Sequence, residues 1–483
     1  MTWIRRGPRA TFALLACSVC SYALMQAASV PTLPVIQAEF QTTQTSATWT
    51  LTAFLLTSSI ATPILGRLGD AFGKRRVLLA GLAAVVIGCL LASASQSIGM
   101  MIGARAIQGL GGGMVPLAFA IVRDELPAER VVGAIAALSA MISAGFATGI
   151  VVAGIITAHL GFRMLFLLPA IFTALTWLAV LQLIPNSRET VPVRLPLLPA
   201  ALLAAWLSTL LLGVSYAPRW GWTSPRLLAF AAATAALATG WGWVEWRASV
   251  PMIDLRLMKM RGVWTANLVA LMTGMASFGA FPFFPQFNQT PPEAGYGFGV
   301  SVVVAGYLLL PASAMSAVAG GVSPWIARRI GSRGAIVAGG LISACALASA
   351  ALLHDEMWQV AVATALTGLG SGIVFTCLAN AVVAAVPPEQ TGVATGTNAN
   401  LRTIGGAVGS GVMATILAAH LQPSGYSSEA GYTNGFLFLA IVCLTTAACG
   451  SLISRDRTRN QPEYRRYPTR GNMAHLERVR PYD

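Results

Sequence analysis

The chain has 483 residues, of which 55% are hydrophobic and only 10% are charged. Soluble domains carry roughly 25% charged residues, so this composition excludes an ordinary soluble protein and favours one embedded in a membrane. A net charge of +14 could also indicate a nucleic-acid partner, but the placement of the basic residues gives the charge another cause.

Apolar runs of membrane-spanning length recur along the chain. A helix needs roughly 20 apolar residues to cross the hydrocarbon core of a bilayer. The first run has the basic start and apolar core of a secretory signal, but because many runs follow it we expect an uncleaved first span. The predicted spans lie near 11–34, 47–66, 77–96, 98–121, 132–157, 163–184, 195–215, 224–246, 263–287, 299–322, 334–353, 358–385, 392–419 and 433–454.

The basic residues alternate between the connections of these fourteen predicted spans. The termini and the even-numbered connections hold 26 of the 31 Lys and Arg residues, whereas the odd-numbered connections hold three, Arg163, Arg219 and Arg226. Cytoplasmic connections are enriched in Lys and Arg, so the pattern predicts that both termini are cytoplasmic. It also accounts for the net charge without nucleic acid.

An internal repeat relates the two ends of the chain. Residues 109–113 (GLGGG) match 368–372 (GLGSG), and 127–129 match 387–389, at offsets of 259 and 260 residues. This offset covers eight predicted spans. It therefore indicates two six-helix halves related by a pseudo-two-fold axis, with two helices inserted between them.

The repeat fixes the expected domain organisation. We expect a first half at residues 1–190, an insert at 191–250 and a second half at 251–454. The remaining residues, 455–483, are polar and rich in Arg and Pro, and we predict a disordered cytoplasmic tail.

The connection between the second and third predicted spans reads GRLGDAFGKRR at residues 66–76. It resembles the signature loop of the major facilitator superfamily, Gly-x-Leu-x-Asp followed by Gly and paired basic residues. Glycine permits a tight turn between two helices, and an aspartate can meet a helix N-terminus or neighbouring arginines. The resemblance implies a conformational latch formed by Gly66, Asp70, Gly73, Lys74, Arg75 and Arg76.

Further segments resemble one branch of that superfamily, the fourteen-helix drug:proton antiporters. They are residues 105–109 (RAIQG), 221–225 (GWTSP), 245–247 (EWR) and 251–257 (PMIDLRL). The branch includes exporters of quaternary ammonium compounds and of actinobacterial antibiotics. The resemblance covers nearly all of residues 11–454. It implies a non-enzymatic, multi-pass transporter of the cell membrane that exports small amphipathic molecules by alternating access, coupled to protons.

The sequence departs from that branch in the fifth predicted span. The antiporter motif normally reads Gly-x-x-x-Gly-Pro-x-x-Gly-Gly, but Ile150 replaces its proline and Ala153 one glycine. The remaining glycines, Gly145, Gly149 and Gly154, still permit close helix packing. Ordinary packing explains these glycines as well as an antiport role does.

A second departure concerns the coupling residue. The branch usually has an aspartate nine residues before the proline of Leu33-Pro34, and Met25 occupies that position. None of the 17 acidic residues falls in the middle of a predicted span, and the four histidines fall in connections or the tail. Because proton-coupled transporters generally use a buried carboxylate or histidine, an alternative is a facilitator or uptake carrier for a neutral or anionic solute.

Several embedded polar and aromatic residues are candidates for a central cavity. Arg105 and Arg402 lie inside predicted spans, where a charge is costly, so each either serves transport or bonds neighbouring carbonyls and amides as a structural residue. The cavity or coupling candidates are Arg105, Gln108, Gln26 and Arg402. The candidates for substrate contact are Trp49, Phe281, Phe284, Gln286, Tyr307 and Asn398, although packing or lipid contact would also explain the aromatic ones.

Two other functional classes fit less well. A membrane enzyme or a non-transporting sensor would need a cluster of reactive side chains near one membrane face. The acidic group at residues 124–129 instead lies beside Arg123 and Arg130, as a solvated face would. No phosphate-binding Gly-Lys-Ser or Gly-Lys-Thr loop occurs, so we do not expect ATP to supply the energy. Cys17 and Cys20 have metal-like spacing but no second pair or His cluster accompanies them, and we expect no metal or cofactor. The expected partners are a small-molecule substrate, protons and the lipid bilayer.

Overall fold

The computed structural model describes residues 8–28, 32–184, 197–221, 223–248, 255, 257–386, 391–423 and 425–453. Within these ranges a few side chains, including that of Asp70, are not described. The regular elements of this part are helices, and a single β-bridge joins Leu421 to Ser427. The predicted all-α class is therefore confirmed. The predicted tail lies outside the described residues.

The first part of the chain, up to residue 184, folds into α1 to α8. A 3-10 turn at Leu110–Gly113 joins α5 to α6, so that the two helices form one apolar stretch, Ile98–Glu125. The helices are α1 (Pro8–Ala28), α2 (Leu33–Glu39), α3 (Gln44–Phe72), α4 (Lys74–Ser93), α5 (Ile98–Gly109), α6 (Met114–Glu125), α7 (Ala128–His159) and α8 (Met164–Leu183).

Two helices follow, α9 (Leu197–Trp220) and α10 (Pro225–Arg247). The sequence starts α10 clearly, because the Ser224 hydroxyl accepts from the Leu227 amide and Pro225 occupies the first turn. Only 6% of the apolar stretch of α10 is buried in the protein, so this helix presents nearly all its sides to its surroundings.

The last part of the chain folds into α11 to α17. Pro282 follows α11 and separates it from α12, because a proline cannot donate the backbone hydrogen bond that would continue a helix. The helices are α11 (Arg261–Ala280), α12 (Phe283–Gln289), α13 (Val302–Leu308), α14 (Leu310–Leu352), α15 (Met357–Ala385), α16 (Thr391–Ala418) and α17 (Glu429–Gly450).

Twelve helical stretches of the described part are long and apolar enough to cross a membrane. The multi-spanning architecture is therefore confirmed, whereas the number fourteen stays a prediction. The count of stretches is lower than the number of predicted spans for two reasons. First, two predicted spans fall in a single helical run of 51 residues, Val302–Leu352. Second, α7 is not among the twelve, because only its segment Thr148–His159 is included, as a shorter apolar helix.

The helices pack closely where glycines remove side chains from the contact. α1 packs on α7, where a Cβ on Gly149 would collide with the backbone of Leu24. α11 packs on α16 in the same way, with Gly405 against the backbone of Leu271. Within a membrane, such close approach replaces the hydrophobic driving force that lipid does not supply.

The first and last parts of the chain meet along two lines of contact. α3 packs on α16, and α7 packs on α13 and α14. α9 lies at the first of these lines, because it contacts both α3 and α16. Its Leu203 and Leu207 share a hydrophobic cluster with Ile60, Ile64 and Ile404.

Candidate functional site

Arg105 of α5 is the largest fully buried side chain of the described part. Its Nη1 donates to Gln108 Oε1 at 2.5 Å and lies 3.1 Å from the sulfur of Met25. Its Nε donates to the Thr50 carbonyl at 3.4 Å, and the guanidinium carbon lies 4.5 Å from the ring centroid of Phe54. Three helices, α1, α3 and α5, therefore converge on this guanidinium.

The groups that hold Arg105 are all neutral. Its Nη2 has no hydrogen-bond partner among the described residues. An embedded charge costs at least ~2.5–3.5 kcal/mol at the centre of a bilayer unless partners compensate it. A carboxylate, phenolate or carbonyl oxygen next to Nη2 would form a charge-assisted hydrogen bond and recover part of that cost.

Two further contacts surround this arginine site and are also uncharged. The Gln108 amide donates to Cys89 Sγ at 3.4 Å, which turns its oxygen towards Arg105. The hydroxyls of Tyr22 and Ser58 lie 2.7 Å apart and link α1 to α3. The site thus has a fixed geometry built from side chains of four helices, α1, α3, α4 and α5.

Arg402 lies in a different environment on α16. Its guanidinium carbon lies 5.0 Å from the ring centroid of Phe375 on α15. Its carbonyl oxygen lies where a Cβ on Gly274 would collide, at a tight contact between α16 and α11. Arg105 and Arg402 therefore contact different helices, one in each part of the chain.

The other polar candidates are also spread over the molecule. Gln26 is half-buried on α1, beside Met25, and Gln286 is half-buried on α12. The Asn398 amide is buried and donates to the Ala266 carbonyl and to Asn267 Oδ1, both at 3.1 Å. This amide joins α16 to α11.

The aromatic candidates divide between packing contacts and the surface. Trp49 packs on Tyr216 of α9, with ring centroids 5.4 Å apart. Phe284 stacks on Phe436 of α17 at 4.7 Å. Tyr307 is 47% exposed.

Phe281 belongs to an aromatic contact between the first and last parts of the chain. Its ring centroid lies 6.4 Å from that of Phe146 on α7, which also makes an edge contact with Phe278 at 6.3 Å. Phe146 is not among the residues predicted to contact substrate. Only the helix packing shows that α7 directs it to α11.

The latch loop is a tight helix–helix junction. α3 ends at Phe72 and α4 begins at Lys74, and Gly73 between them has φ 96°, a value that favours glycine. Lys74 forms an ion pair with Asp124, and Arg75 Nη2 donates to the Leu181 carbonyl at 2.5 Å. Of the other loop candidates, Gly66 has open space around its Cα and Arg76 is exposed.

The glycines of α7 lie at two different helix contacts. Gly145 and Gly149 face the backbone of α1 at Cys20 and Leu24. Gly154 faces α13, because a Cβ there would lie 3.2 Å from the Val302 carbonyl oxygen and 3.3 Å from Val303 Cα. α7 therefore packs within the first part through one pair of glycines and against the last part through the third.

Comparison with known proteins identifies the family. The sequence model of the Major Facilitator Superfamily matches residues 15–410, which is more than half of the chain. The chain belongs to the Major Facilitator Superfamily. The resemblance inferred from the latch loop is therefore confirmed.

Relatives of this major facilitator protein include several from actinobacteria. The tetracenomycin C resistance and export protein of Streptomyces glaucescens is 26% identical over 86% of this chain and 77% of its own length. The cephamycin export protein of Amycolatopsis lactamdurans is 29% identical over 91% of both chains. The crystal structure of a human organic anion transporter, 19% identical, covers 92% of this chain with a TM-score of 0.64 and so shares its fold.

One carboxylate of this major facilitator protein is more buried than the sequence suggests. Glu245, near the end of α10, is only 2% exposed. It lies at the end of the eighth predicted span, in the segment 245–247, and is not among the predicted site residues. Span boundaries alone do not indicate such burial.

Proposed function

We propose that this protein is a secondary active transporter that exports small amphipathic molecules across the cell membrane by alternating access. The observation that carries the proposal is the match, over 91% of both chains, to a relative named as an antibiotic export protein. The family membership and the multi-spanning fold support it.

The transport path in this proposal runs between two six-helix halves, residues 1–190 and 251–454, with residues 191–250 as an inserted pair of helices. The internal repeat supports this division, and the contacts of α3 with α16 and of α7 with α13 and α14 are where such halves would meet. Substrate is held between repeated halves near the middle of the bilayer in transporters of this architecture.

The proposal includes fourteen crossings with both termini in the cytoplasm. A helical run of 51 residues would be about 75 Å long at 1.5 Å per residue, far more than the ~30 Å of hydrocarbon. Gly331 interrupts that run with φ 76° and ψ 160°. α7 has 32 residues, which is ample for one crossing.

Reporter fusions test this topology. Green fluorescent protein fused after Gly331 is expected to fluoresce, because that connection would be cytoplasmic. Alkaline phosphatase fused after Tyr296 or His354 is expected to be active, because those connections would be external. Phosphatase activity after Gly331 would contradict the fourteen-crossing topology.

The Arg105 site supports a preference for neutral or weakly acidic amphiphiles. Its positive charge is held by neutral partners, so a substrate that brings an oxygen acceptor gains more than one that brings a second cation. The absence of an acidic residue from the middle of the predicted spans bears on coupling. If export is proton-driven, the proton rides on the substrate or on a carboxylate at the rim, such as the exposed Glu39 at the end of α2.

An efflux experiment tests the function itself. A host that lacks its own exporters is given a panel of amphipathic antibiotics, with and without expression of this protein. Export predicts raised inhibitory concentrations and faster efflux from preloaded cells. Arg105→Ala, which is expected to insert but not to transport, is the control. Greater accumulation in the expressing cells would instead support the uptake alternative.

A further inference from the structure

His354 and Glu429 join two helices at one end of the second half. His354 follows α14, and Glu429 begins α17. The His354 Nδ1 lies 3.0 Å from the Ala350 carbonyl oxygen, and its Nε2 lies 2.9 Å from Glu429 Oε1. The side chain of His354 is 11% exposed and that of Glu429 is 52% exposed. In the proposed topology, on which this inference rests, both residues face the cell exterior.

Both nitrogens of the His354 ring lie close to acceptor oxygens. A carbonyl oxygen only accepts, so Nδ1 must carry a hydrogen. An ionised carboxylate also only accepts, so Nε2 can approach it at 2.9 Å only when a proton lies between the two atoms. For both contacts to be hydrogen bonds, the pair must therefore hold one proton more than a neutral imidazole beside an ionised carboxylate. Loss of that proton would bring two lone pairs into contact and open the pair.

The second nearby histidine provides a contrast. His420 Nδ1 lies 2.8 Å from the Ile416 carbonyl oxygen, so it too carries a hydrogen. Its Nε2, however, faces the amide nitrogen of Asn434 at 3.3 Å, which is a donor. The two nitrogens of His420 therefore face one acceptor and one donor, whereas those of His354 face two acceptors.

The charged side chains around the pair are acidic. The three connections at this end of the second half, 290–301, 353–356 and 419–428, contain no Lys or Arg. The acidic groups on or beside them are Glu293, Asp355, Glu356 and Glu429. The phenols on the surrounding elements are Tyr296, Tyr426 and Tyr432, and the remaining imidazole is His420. Burial raises the pKa of the Tyr296 phenol, which stays neutral and donates to the Ser427 carbonyl at 2.5 Å.

The pair is also connected to the contact between the halves. The ring of Phe287 on α12 meets the His354 ring edge-on, with centroids 5.2 Å apart, and packs on Tyr296 and Tyr432. Phe287 shares one hydrophobic cluster with Ile150 of α7, against which Phe281 and Phe146 also pack. A change at His354 therefore reaches the packing that joins the two halves.

We propose that His354 and Glu429 form a proton-binding site at the outer rim, and that the bound proton ties the outer ends of α14, α17 and α12 together. External acid fills the site and stabilises the closed outer packing. The sign follows from the pair, since its contribution is present when the imidazole is protonated and is lost as the pH rises and the proton leaves.

Hydrogen exchange of the purified full-length protein tests this proposal without depending on transport. We compare the wild type with His354→Gln and Glu429→Gln, each at pH 6 and at pH 9, and follow the peptides that cover 289–301 and 419–432. At pH 6 we expect exchange in both variants to be roughly two- to fivefold faster than in the wild type, the size expected for a partly exposed ion pair. At pH 9 we expect no difference.

His159→Gln is the matched control. His159 ends α7 on the same predicted side of the membrane and is exposed, so its replacement makes the same chemical change in the other half. We expect no effect at either pH. Equal effects of His354→Gln at pH 6 and pH 9 would show a structural contact that binds no proton, and no effect at pH 6 would show that the pair ties nothing. Either result overturns the proposal.

A second measurement counts the protons directly. The chain has four histidines, so protein labelled with nitrogen-15 histidine gives four imidazole signals. The signal that disappears in His354→Gln is expected to show both nitrogens protonated at pH 6 in the wild type. A neutral His354 at pH 6 would overturn the proposal, while the export function would remain open to its own test.

Discussion

Arg105 depends on the forked shape of its side chain as well as on its charge. Its Nε and Nη1 reach Thr50, Met25 and Gln108, which lie in different directions. The compact ammonium of lysine cannot make these contacts together. We therefore expect Arg105→Lys and Arg105→Ala both to insert normally and to lose transport about tenfold or more, from ~1.5–3 kcal/mol for a hydrogen bond to a charged group.

The measurement is the initial efflux rate, normalised to the amount of protein in the membrane. Arg163→Lys is the control, because Arg163 is exposed before α8 and has no assigned role. Full transport by Arg105→Lys would show that a simple positive charge suffices and that the forked contact is unimportant.

Met25 leaves the positive charge of Arg105 without a negative partner on α1. Its sulfur lies 3.1 Å from Arg105 Nη1 and offers a weak, neutral acceptor. A carboxylate in its place would neutralise the guanidinium. We expect Met25→Asp to lower the efflux of weakly acidic substrates and to raise that of cationic ones. Met25→Leu preserves the volume and adds no charge but removes this weak acceptor, and it is expected to leave the preference between the two classes of substrate unchanged, because isosteric apolar exchanges are well tolerated. An unchanged substrate preference in Met25→Asp would separate Arg105 from substrate charge.

Helical spacing explains which of these contacts can be predicted from the sequence. Gln108 follows Arg105 by three residues, which places both side chains on one face of α5. Met25, Thr50 and Phe54 come from other helices, and nothing in their local sequence indicates that they meet Arg105. For the same reason, the local sequence does not predict the contacts of Phe146 or the pair of His354 and Glu429, which are 75 residues apart.

The glycines of α7 differ in how closely they pack against neighbouring helices. A Cβ on Gly149 would collide with the backbone of Leu24, whereas one on Gly133 of the same helix would meet nothing within 4 Å. We expect Gly149→Ala to destabilise the protein by about 1–3 kcal/mol, the usual cost of overpacking. Gly133→Ala is expected to be neutral or slightly stabilising. Thermal unfolding in detergent measures both, and equal unfolding temperatures would contradict the tight contact of α7 with α1.

The loop between α3 and α4 tests the latch. The match of residues 66–76 to the family loop motivates the prediction, and the second half has Arg328 at the position equivalent to Asp70. We expect Asp70→Asn to reduce transport severely while leaving membrane insertion intact, because it removes only the charge. Glu125→Gln, an exposed acidic residue at the end of α6, is the control and should transport normally. Normal transport by Asp70→Asn would exclude the latch, and poor membrane expression would indicate a folding role.

The helix boundaries show how far apolar runs predict elements. The first span was predicted to continue to residue 34, but α1 ends at Ala28 and α2 begins at Leu33. Pro34 lies in the first turn of α2, where a new helix begins, and hydropathy does not register prolines. The predicted ninth span, 263–287, is close to the stretch Arg261–Gln289 but contains the break at Pro282. Hydropathy therefore located the helices well and their breaks poorly.

The placement of α9 is a property of the whole molecule that composition could not predict. The sequence shows only two extra apolar runs between the repeats. The structure puts α9 against α3 and α16, where the two proposed halves meet. Val214 of α9 faces Gly411 of α16, and Tyr216 packs on Trp49 of α3. In alternating access this helix must either slide on one partner or move with the other, so the insert constrains how the halves can rock.

The charges along all the predicted spans together determine which substrate charge we expect the protein to accept. A hydrophobic dication needs a negative partner in a low-dielectric cavity. The predicted spans have no acidic residue near their middle. If Arg105, which is fully buried in this structure, comes to face the transport path, it would repel such a substrate by roughly 4 kcal/mol at about 4 Å and an effective dielectric near 20. We therefore expect poor efflux of a bis-quaternary dye and better efflux of neutral or weakly acidic amphiphiles.

Efflux from proteoliposomes under an imposed pH gradient tests two points separately: which substrate charge is preferred, and which group carries the coupled proton. A dication and a neutral compound of similar size are compared in wild type and in Glu39→Gln, which removes the exposed carboxylate at the end of α2. We expect proton-driven efflux of the neutral compound to exceed that of the dication at least tenfold, since each 1.4 kcal/mol is a factor of ten. If the rim carboxylate carries the proton, Glu39→Gln abolishes the gradient dependence, and if the substrate carries it, Glu39→Gln has no effect. Strong proton-driven efflux of the dication, undiminished in Glu39→Gln, would contradict an uncompensated arginine in the transport path.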